Sequence, residues 1–348
     1  MLTVATLYVD RINIYVYSDN IEIKGVNPLF RGFMRIVSKF FQQAETNPPL
    51  FWNGIIVAIS LFILIPALLI DPRQVTNSPI WLKPIKFALS TSTYSFTLVW
   101  ILQYIRGKEK AVRRLSWIIT IMLTIENLAI YGQAFRGESS HFNITSPLNG
   151  MIFSIMGTAI TILWFAHIVI AFYLFRQKIE NKSLLESFRW GMGIAALGMI
   201  LGFFMTAPRP DQIEAMKLGI LKANGGHTFG AEDGGPGLPV LGWSTIAGDM
   251  RIPHFIGIHA MQLIPMLAVI LGSLHISEMN IVRSIRNFSV FLIGLILILT
   301  AQALDGESLL NPSIKIQIGF YICTIGMLGS FIVPFFSKKV LKTSIKGA

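Results

Sequence analysis

Apolar residues gather in eight runs along the chain, each close to the roughly 20 residues that a helix needs to cross the hydrocarbon core of a bilayer. The runs lie at 51–70, 84–104, 115–135, 149–175, 188–207, 254–275, 286–304 and 315–336, and most charge falls between them. The pattern predicts an all-α polytopic transmembrane helix bundle of about eight spans over 50–348. Ahead of the first run the period changes twice. Ile12-Asn-Ile-Tyr-Val-Tyr and Ile21-Glu-Ile-Lys-Gly alternate with period two around Ser18-Asp-Asn, which predicts a small hairpin. From Pro28 onward, Phe30, Phe33, Met34, Val37, Phe40 and Phe41 recur at spacings of three and four, while Arg31, Arg35 and Lys39 line another face. Residues 1–49 are therefore expected to form a cytoplasmic hairpin and an amphipathic helix lying on the membrane, its basic face toward anionic headgroups. Asp10, Arg11 and Asp19 break up the first 20 residues, which lack the order of a secretory signal, so the N-terminus is expected to stay.

Composition agrees with a membrane solvent. The 348 residues are 53% hydrophobic and only 14% charged, far from the usual quarter in soluble domains. The formal charge of +11 would suggest nucleic acid in a soluble protein; here it is topological, and the lipid bilayer rather than nucleic acid is the expected partner. Most of the 29 lysines and arginines fall before the first run, after the eighth, and in alternate connections between them, which places both termini in the cytoplasm. The single cysteine, Cys323, excludes an internal disulfide and a thiolate cluster. Any metal or haem must then use histidine, methionine, carboxylate or amide ligands.

An ionisable group at membrane depth costs at least a few kcal/mol, so each needs a partner, a bundle interior or water. Glu126 falls near the middle of the third run, and Gln133, seven residues on, shares its helical face. Glu126 reads either as a proton acceptor beneath an outer vestibule or as a carboxyl group hydrogen-bonded between helices. The stripe ends at Arg136-Gly-Glu-Ser-Ser-His-Phe-Asn143, where His141 adds a ligating side chain. In the sixth run, His254 and His259 are about 140° apart around a helix and must face different neighbours, whereas His259 and Gln262 share a face. Pro253 suits a first helical position, which would leave His254 neutral at the positive end of the dipole. His141, His227, His254 and His259 map to the outer side; His167 and His275 map inward. The set admits haem b bound through His254, His259 and His167, or a transition metal bound by His141, His254 and His259 with Glu126.

Lys83 and Lys86 open the second run on the side where positive charge should be scarce. They are expected to pair with Glu126 or Asp249, to hold an anionic group, or to snorkel to the interface. Residues 208–253 form a connection too long for an ordinary loop. Leu238, Val240, Leu241 and Trp243, set among glycines, predict an ordered outer cap.

Arg136-Gly-Glu-Ser-Ser-His-Phe-Asn143, Asp233-Gly-Gly-Pro-Gly-Leu-Pro239 and the stretch from Gly242-Trp-Ser to Gly257-Ile-His-Ala-Met-Gln262 resemble segments of uncharacterised bacterial multi-pass membrane proteins, which implies a bacterial inner-membrane location. His167, His254 and His259 carry a fainter resemblance to haem A synthase and the membrane-bound cytochromes b, which implies haem binding; the paired histidines of haem A synthase are not reproduced. Three classes of function remain open. One is a redox protein or oxidoreductase holding haem b or a metal near the outer face, with Glu126 as proton acceptor. Another is a transporter or channel with a polar path through Glu126, Gln133, Gln262 and Gln302. The third is a non-catalytic subunit contacting other membrane proteins. The chain lacks a nucleotide-binding glycine motif and a serine-nucleophile elbow, which argues against ATP-driven and serine-hydrolase chemistry.

Overall fold

The computed structural model describes residues 6–9, 12–17, 20–23, 37, 38, 40–274 and 276–345, with side chains for 37, 38, 40–274 and 276–332. In the N-terminal segment, β1 (Thr6–Val9), β2 (Ile12–Tyr17) and β3 (Asn20–Ile23) form an antiparallel sheet in the order β1-β2-β3, with Ile14 opposite Ile23. The expected hairpin is thus two of three strands. Of the expected amphipathic helix, the stretch from Pro28 to Arg35 lies outside the described residues; backbone at 37, 38 and 40–46 is helical.

Helices then follow in the order α1 (Pro48–Ile70), α2 (Leu82–Leu102), α3 (Glu109–Arg136), α4 (Pro147–Phe175), α5 (Lys182–Thr206), α6 (Pro210–Lys217), α7 (Arg251–Ile258), α8 (Ala260–Ser273), α9 (Glu278–Leu304) and α10 (Ile314–Ile345). Local chemistry sets several boundaries. Asn47 and Ser146 accept backbone N–H bonds at the starts of α1 and α4, each followed by a proline whose missing N–H costs nothing there. Gly137, at φ 80°, ends α3 in the left-handed conformation.

Among the described residues, α1, α3, α4, α5, α9 and the first 19 residues of α10 are long and apolar enough to cross a membrane. Their outward faces carry Phe62, Leu69, Phe135 and Phe165, all exposed. A surface of this kind would be a liability in water and is what a bilayer requires. The chain is a membrane-embedded helical protein. The expected sixth span is not one straight helix: α7 and α8 are bent by 45° at His259. Pro265 cannot donate to the Met261 carbonyl and crowds it, which weakens the helix one turn below the bend. The helix also starts earlier than Pro253 suggested, at Arg251, leaving Pro253 in third position. α2 coincides with the expected second span, but Lys83, Lys86 and the run Ser90-Thr-Ser-Thr93 make it less apolar than the others.

The interior has two main apolar clusters. One joins α1 to α5 around Phe51, Leu98, Ile119, Ile170 and Phe188; the other joins α5 to α7, α8 and α9 around Met250, Ile264, Ile285 and Ile296. Helix α5 contributes to both. It meets α7 at Gly198 and Gly257, so closely that a Cβ on Gly198 would stand 2.5 Å from the Gly257 carbonyl carbon.

The connection from α5 to α7 lies across one end of the bundle, here termed the cap end. It contains α6 and the paired strands β6 (Thr228–Phe229) and β7 (Gly248–Asp249), and it is stitched to the neighbouring turns. Ile144 N donates to Lys222 O and Asn224 N to Phe142 O; Asn77 Nδ2 donates to Gly234 O, and Ser308 Oγ to Thr245 O.

Candidate functional site

Before α2, the two-residue strands β4 (Gln74–Val75) and β5 (Ser78–Pro79) are joined through Thr76 and Asn77, at φ 49° and 55°. A left-handed threonine is strained. It is held because Gly234 of the cap packs against it and Asn77 Nδ2 donates to Gly234 O at 2.6 Å. This turn aims the first residues of α2, and with them Lys83, under the cap.

Lys83 Nζ lies 3.0 Å from His141 Nδ1, and Ser140 Oγ lies 3.0 Å from the same nitrogen. An ammonium only donates, so Nδ1 accepts and the ring proton belongs on Nε2. That nitrogen stands 3.3 Å from Glu126 Oε1. Burial holds the imidazole of His141 below its ordinary pKa, and the Lys83 charge adds to this while Glu126 opposes it. The ring is therefore neutral at neutral pH, with one nitrogen receiving and the other giving. Glu126 is 2% exposed, and its second oxygen, Oε2, has no hydrogen-bond partner. The lysine thus meets Glu126 through a histidine, not by the direct pairing that the sequence suggested.

A second polar stripe runs along the neighbouring face of α3, from Asn127 through Thr124 and Thr120 to Ser116. Asn127 Nδ2 donates to Thr91 Oγ1 at 3.1 Å; Thr124 Oγ1 donates to Asn53 Oδ1 at 3.4 Å, and Asn53 Nδ2 to Ser95 Oγ at 3.0 Å. Near the opposite end, Asn47 Nδ2 donates to Ser116 Oγ at 2.7 Å. From Glu126 to Ser116 the helix descends about 15 Å. Five buried side-chain polar atoms among the described residues lack a partner, and three of them, Thr120 Oγ1, Glu126 Oε2 and Asn127 Oδ1, belong to α3. Each such atom costs roughly 1–3 kcal/mol, so their concentration on one helix calls for a reason.

The other expected site residues are placed as follows. Gln133 is buried on the Glu126 face but is consumed in a clasp: its Nε2 donates to Asn149 Oδ1 and Ser139 O, and Arg136 donates to its Oε1. It holds the loop carrying His141 rather than lining a path. Gln302 likewise ties the turn after α9, donating to Ser308 O. Lys86 does not reach an acidic partner; its Nζ donates to Leu241 O at 2.9 Å. Asp249 is buried and takes the guanidinium of Arg251, with Nη2 to Oδ2 at 2.6 Å. His227 Nδ1 lies 2.8 Å from Asp233 Oδ2. Burial pushes His227 down to about 4 although Asp233 opposes the shift. Burial acts to raise Asp233, yet bonds from the His227 ring and from the backbone N–H groups of His227 and Thr228 hold its carboxyl below the usual range. His259 Nδ1 stands 3.3 Å from Gln262 Oε1.

Of the histidines proposed for haem b, His167 has no free nitrogen to offer iron. His167 has both nitrogens engaged, Nδ1 with the Tyr94 hydroxyl at 3.1 Å and Nε2 with Met192 O at 3.1 Å. His254 Nδ1 meets Gly198 O at 2.8 Å and His259 Nδ1 meets Gln262 Oε1, which commits one nitrogen of each ring. Both nitrogens of His141 are also committed. Among the described residues no group of three or more His, Cys, Asp or Glu is placed to hold a metal ion; His275 lies outside them.

Sequence reasoning missed Asn53, Thr91, Thr120 and Asn127, and it gave Arg251 no role. The spacing Ser116, Thr120, Thr124 and Asn127 is a helical stripe visible in the sequence. The partners Asn53 and Thr91 come from other helices and carry no local signal. Comparison of the chain with protein-family models, curated proteins and solved structures gave no match.

Proposed function

We propose that this is an eight-span protein of the bacterial inner membrane, with both termini cytoplasmic and the cap facing outward, that carries protons between its outer face and Glu126 as the coupling step of a transporter. The observation that carries the reading is the buried Glu126 carboxyl group, with one oxygen on His141 and the other without a partner among the described residues. α2 and the bent α7–α8 pair complete the eight spans.

In the inward step Glu126 Oε1 takes the Nε2 proton of His141 while Nδ1 takes one from the Lys83 ammonium. The ring ends neutral in the opposite tautomer, and Lys83, left as the amine, recovers its proton from the cap side. A neutral Glu126 is released from His141, and the polar side chains of Asn127, Thr91, Asn53 and Thr120 on the neighbouring face continue toward the other end. A carboxylate can cross low-dielectric surroundings only when it is neutralised, which makes protonation the natural control point. The test is proton flux into liposomes holding a trapped pH-sensitive dye, driven by a potassium diffusion potential. Wild type should acidify the lumen above the lipid background and Glu126→Gln should not. Equal flux from Glu126→Gln, at equal incorporation, would refute the reading.

A further inference from the structure

Two cations at the cap end are not used by the relay. Arg251 spends Nε and Nη2 on Asp249, and Nη2 also on Gly242 O at 2.5 Å, but its Nη1 has no hydrogen-bond partner among the described residues. Lys86 Nζ spends one of its three donors, on Leu241 O. Both groups converge on Gly242, where a Cβ would stand 3.9 Å from Arg251 Nη1 and 4.0 Å from Lys86 Nζ. Gly242 has φ 67°, so glycine serves the turn and leaves the space in front of it open. The nearby acids are already committed: Asp249 to Arg251 and to Ser244 N, Asp233 to His227 and Glu126 to His141. Lys83, one turn before Lys86, adds a third positive charge. Both Lys86 and Arg251 are partly exposed, so the cradle is reachable from water.

The geometry points to a small oxyanion as the cargo of the transporter, its carboxylate or phosphate group bridging Lys86 Nζ and Arg251 Nη1 in front of Gly242. Unspent donors in a fork and an ammonium match oxygen anions, and a planar guanidinium edge favours them over a spherical ion such as chloride. The assignment rests on the transport reading for the word cargo; the binding site itself does not. The proton delivered to Glu126 offsets the negative charge that travels with the ligand.

The test is calorimetric titration of the full chain, in uncharged detergent, with inorganic phosphate and separately with acetate, at ionic strength held constant with sodium chloride. Saturable binding of either anion is expected, weakened at least tenfold in Lys86→Gln and restored toward wild type in Lys86→Arg. Gly242→Asn keeps every charge, tolerates the positive φ and fills the cradle, so it should also lose binding even if Lys86→Gln folds poorly. The titration reads anion binding and not proton flux, so its outcome separates failure of this assignment from failure of the proton reading. Absence of anion binding, or binding unchanged in both Lys86→Gln and Gly242→Asn, would overturn the assignment. So would nanodisc experiments in which phosphatidylglycerol, compared with phosphatidylcholine alone, stabilises the protein through Lys86 while free phosphate does nothing, because the oxyanion would then be a lipid headgroup.

Discussion

Replacing His141 by alanine and Glu126 by glutamine, singly and together, isolates the bond on which the relay depends. The Nε2 to Oε1 distance of 3.3 Å is long beside the 2.7–2.9 Å of strong charge-assisted bonds, so the upper range of about 3 kcal/mol for a bond to a charged group does not apply. Side-chain bonds between membrane helices couple by about 0.6 kcal/mol on average and up to about 1.7 kcal/mol. Burial of Glu126 removes screening and moves this pair toward the upper end, giving an expected coupling of about 1–2 kcal/mol. The single His141→Ala change should cost more, about 2–4 kcal/mol, because it leaves both oxygens of Glu126 and the Lys83 ammonium without their partner. Unfolding of the four proteins in mixed micelles of increasing dodecyl sulfate fraction gives the cycle. A coupling below about 0.5 kcal/mol, the usual limit of additivity, would mean that the two side chains act independently and that the relay is not connected.

Three further outcomes follow from the cap and from the crossing of α5 and α7. Unfolded His227 takes up its proton near pH 6.5 and folded His227 only near pH 4, so the unfolded chain binds more protons in that window and stability falls as pH drops through it, being fully present above pH 6.5. The loss should reach about 3–3.5 kcal/mol, with Asp233 adding to it at lower pH, and amide exchange across 208–250 should accelerate on acidification. Asp233→Asn should raise exchange there already at neutral pH; a cap whose exchange is independent of both would refute the His227–Asp233 latch. Gly198→Ala should destabilise by about 2–4 kcal/mol, since its Cβ would meet the Gly257 backbone at 2.5 Å, whereas Gly157→Ala, with nothing within 4 Å, should be neutral or stabilising by about 0.5–1 kcal/mol. Comparable melting temperatures for the two variants would contradict the close crossing of α5 and α7.

The period of the apolar pattern was enough to show a membrane-embedded helical chain, because a bilayer imposes length and composition on each helix separately. Six of the eight apolar runs coincide with helices apolar enough to span, from Pro48–Ile70 to the first part of α10. The bend at His259 was less legible. Pro265 signalled a weak point, but the 45° angle depends on how α7 and α8 pack against α5. The polar stripe shows the same division. Glu126 was conspicuous because a carboxyl group amid apolar residues violates a local rule, and Ser116, Thr120, Thr124 and Asn127 follow from helical spacing alone. Which residues answer them was not readable. Gln133 lies seven residues from Glu126 on the same face and yet belongs to a loop clasp, because Asn149 and Arg136 reach it first. Lys83 and Lys86 broke two rules of position, and only the packed structure sends one to His141 and the other toward Gly242 beside Arg251. Spacing along a helix dictates which side chains share a face, while hydrogen bonds between residues 36 to 157 positions apart depend on which elements become neighbours, a choice made by packing that no local pattern encodes.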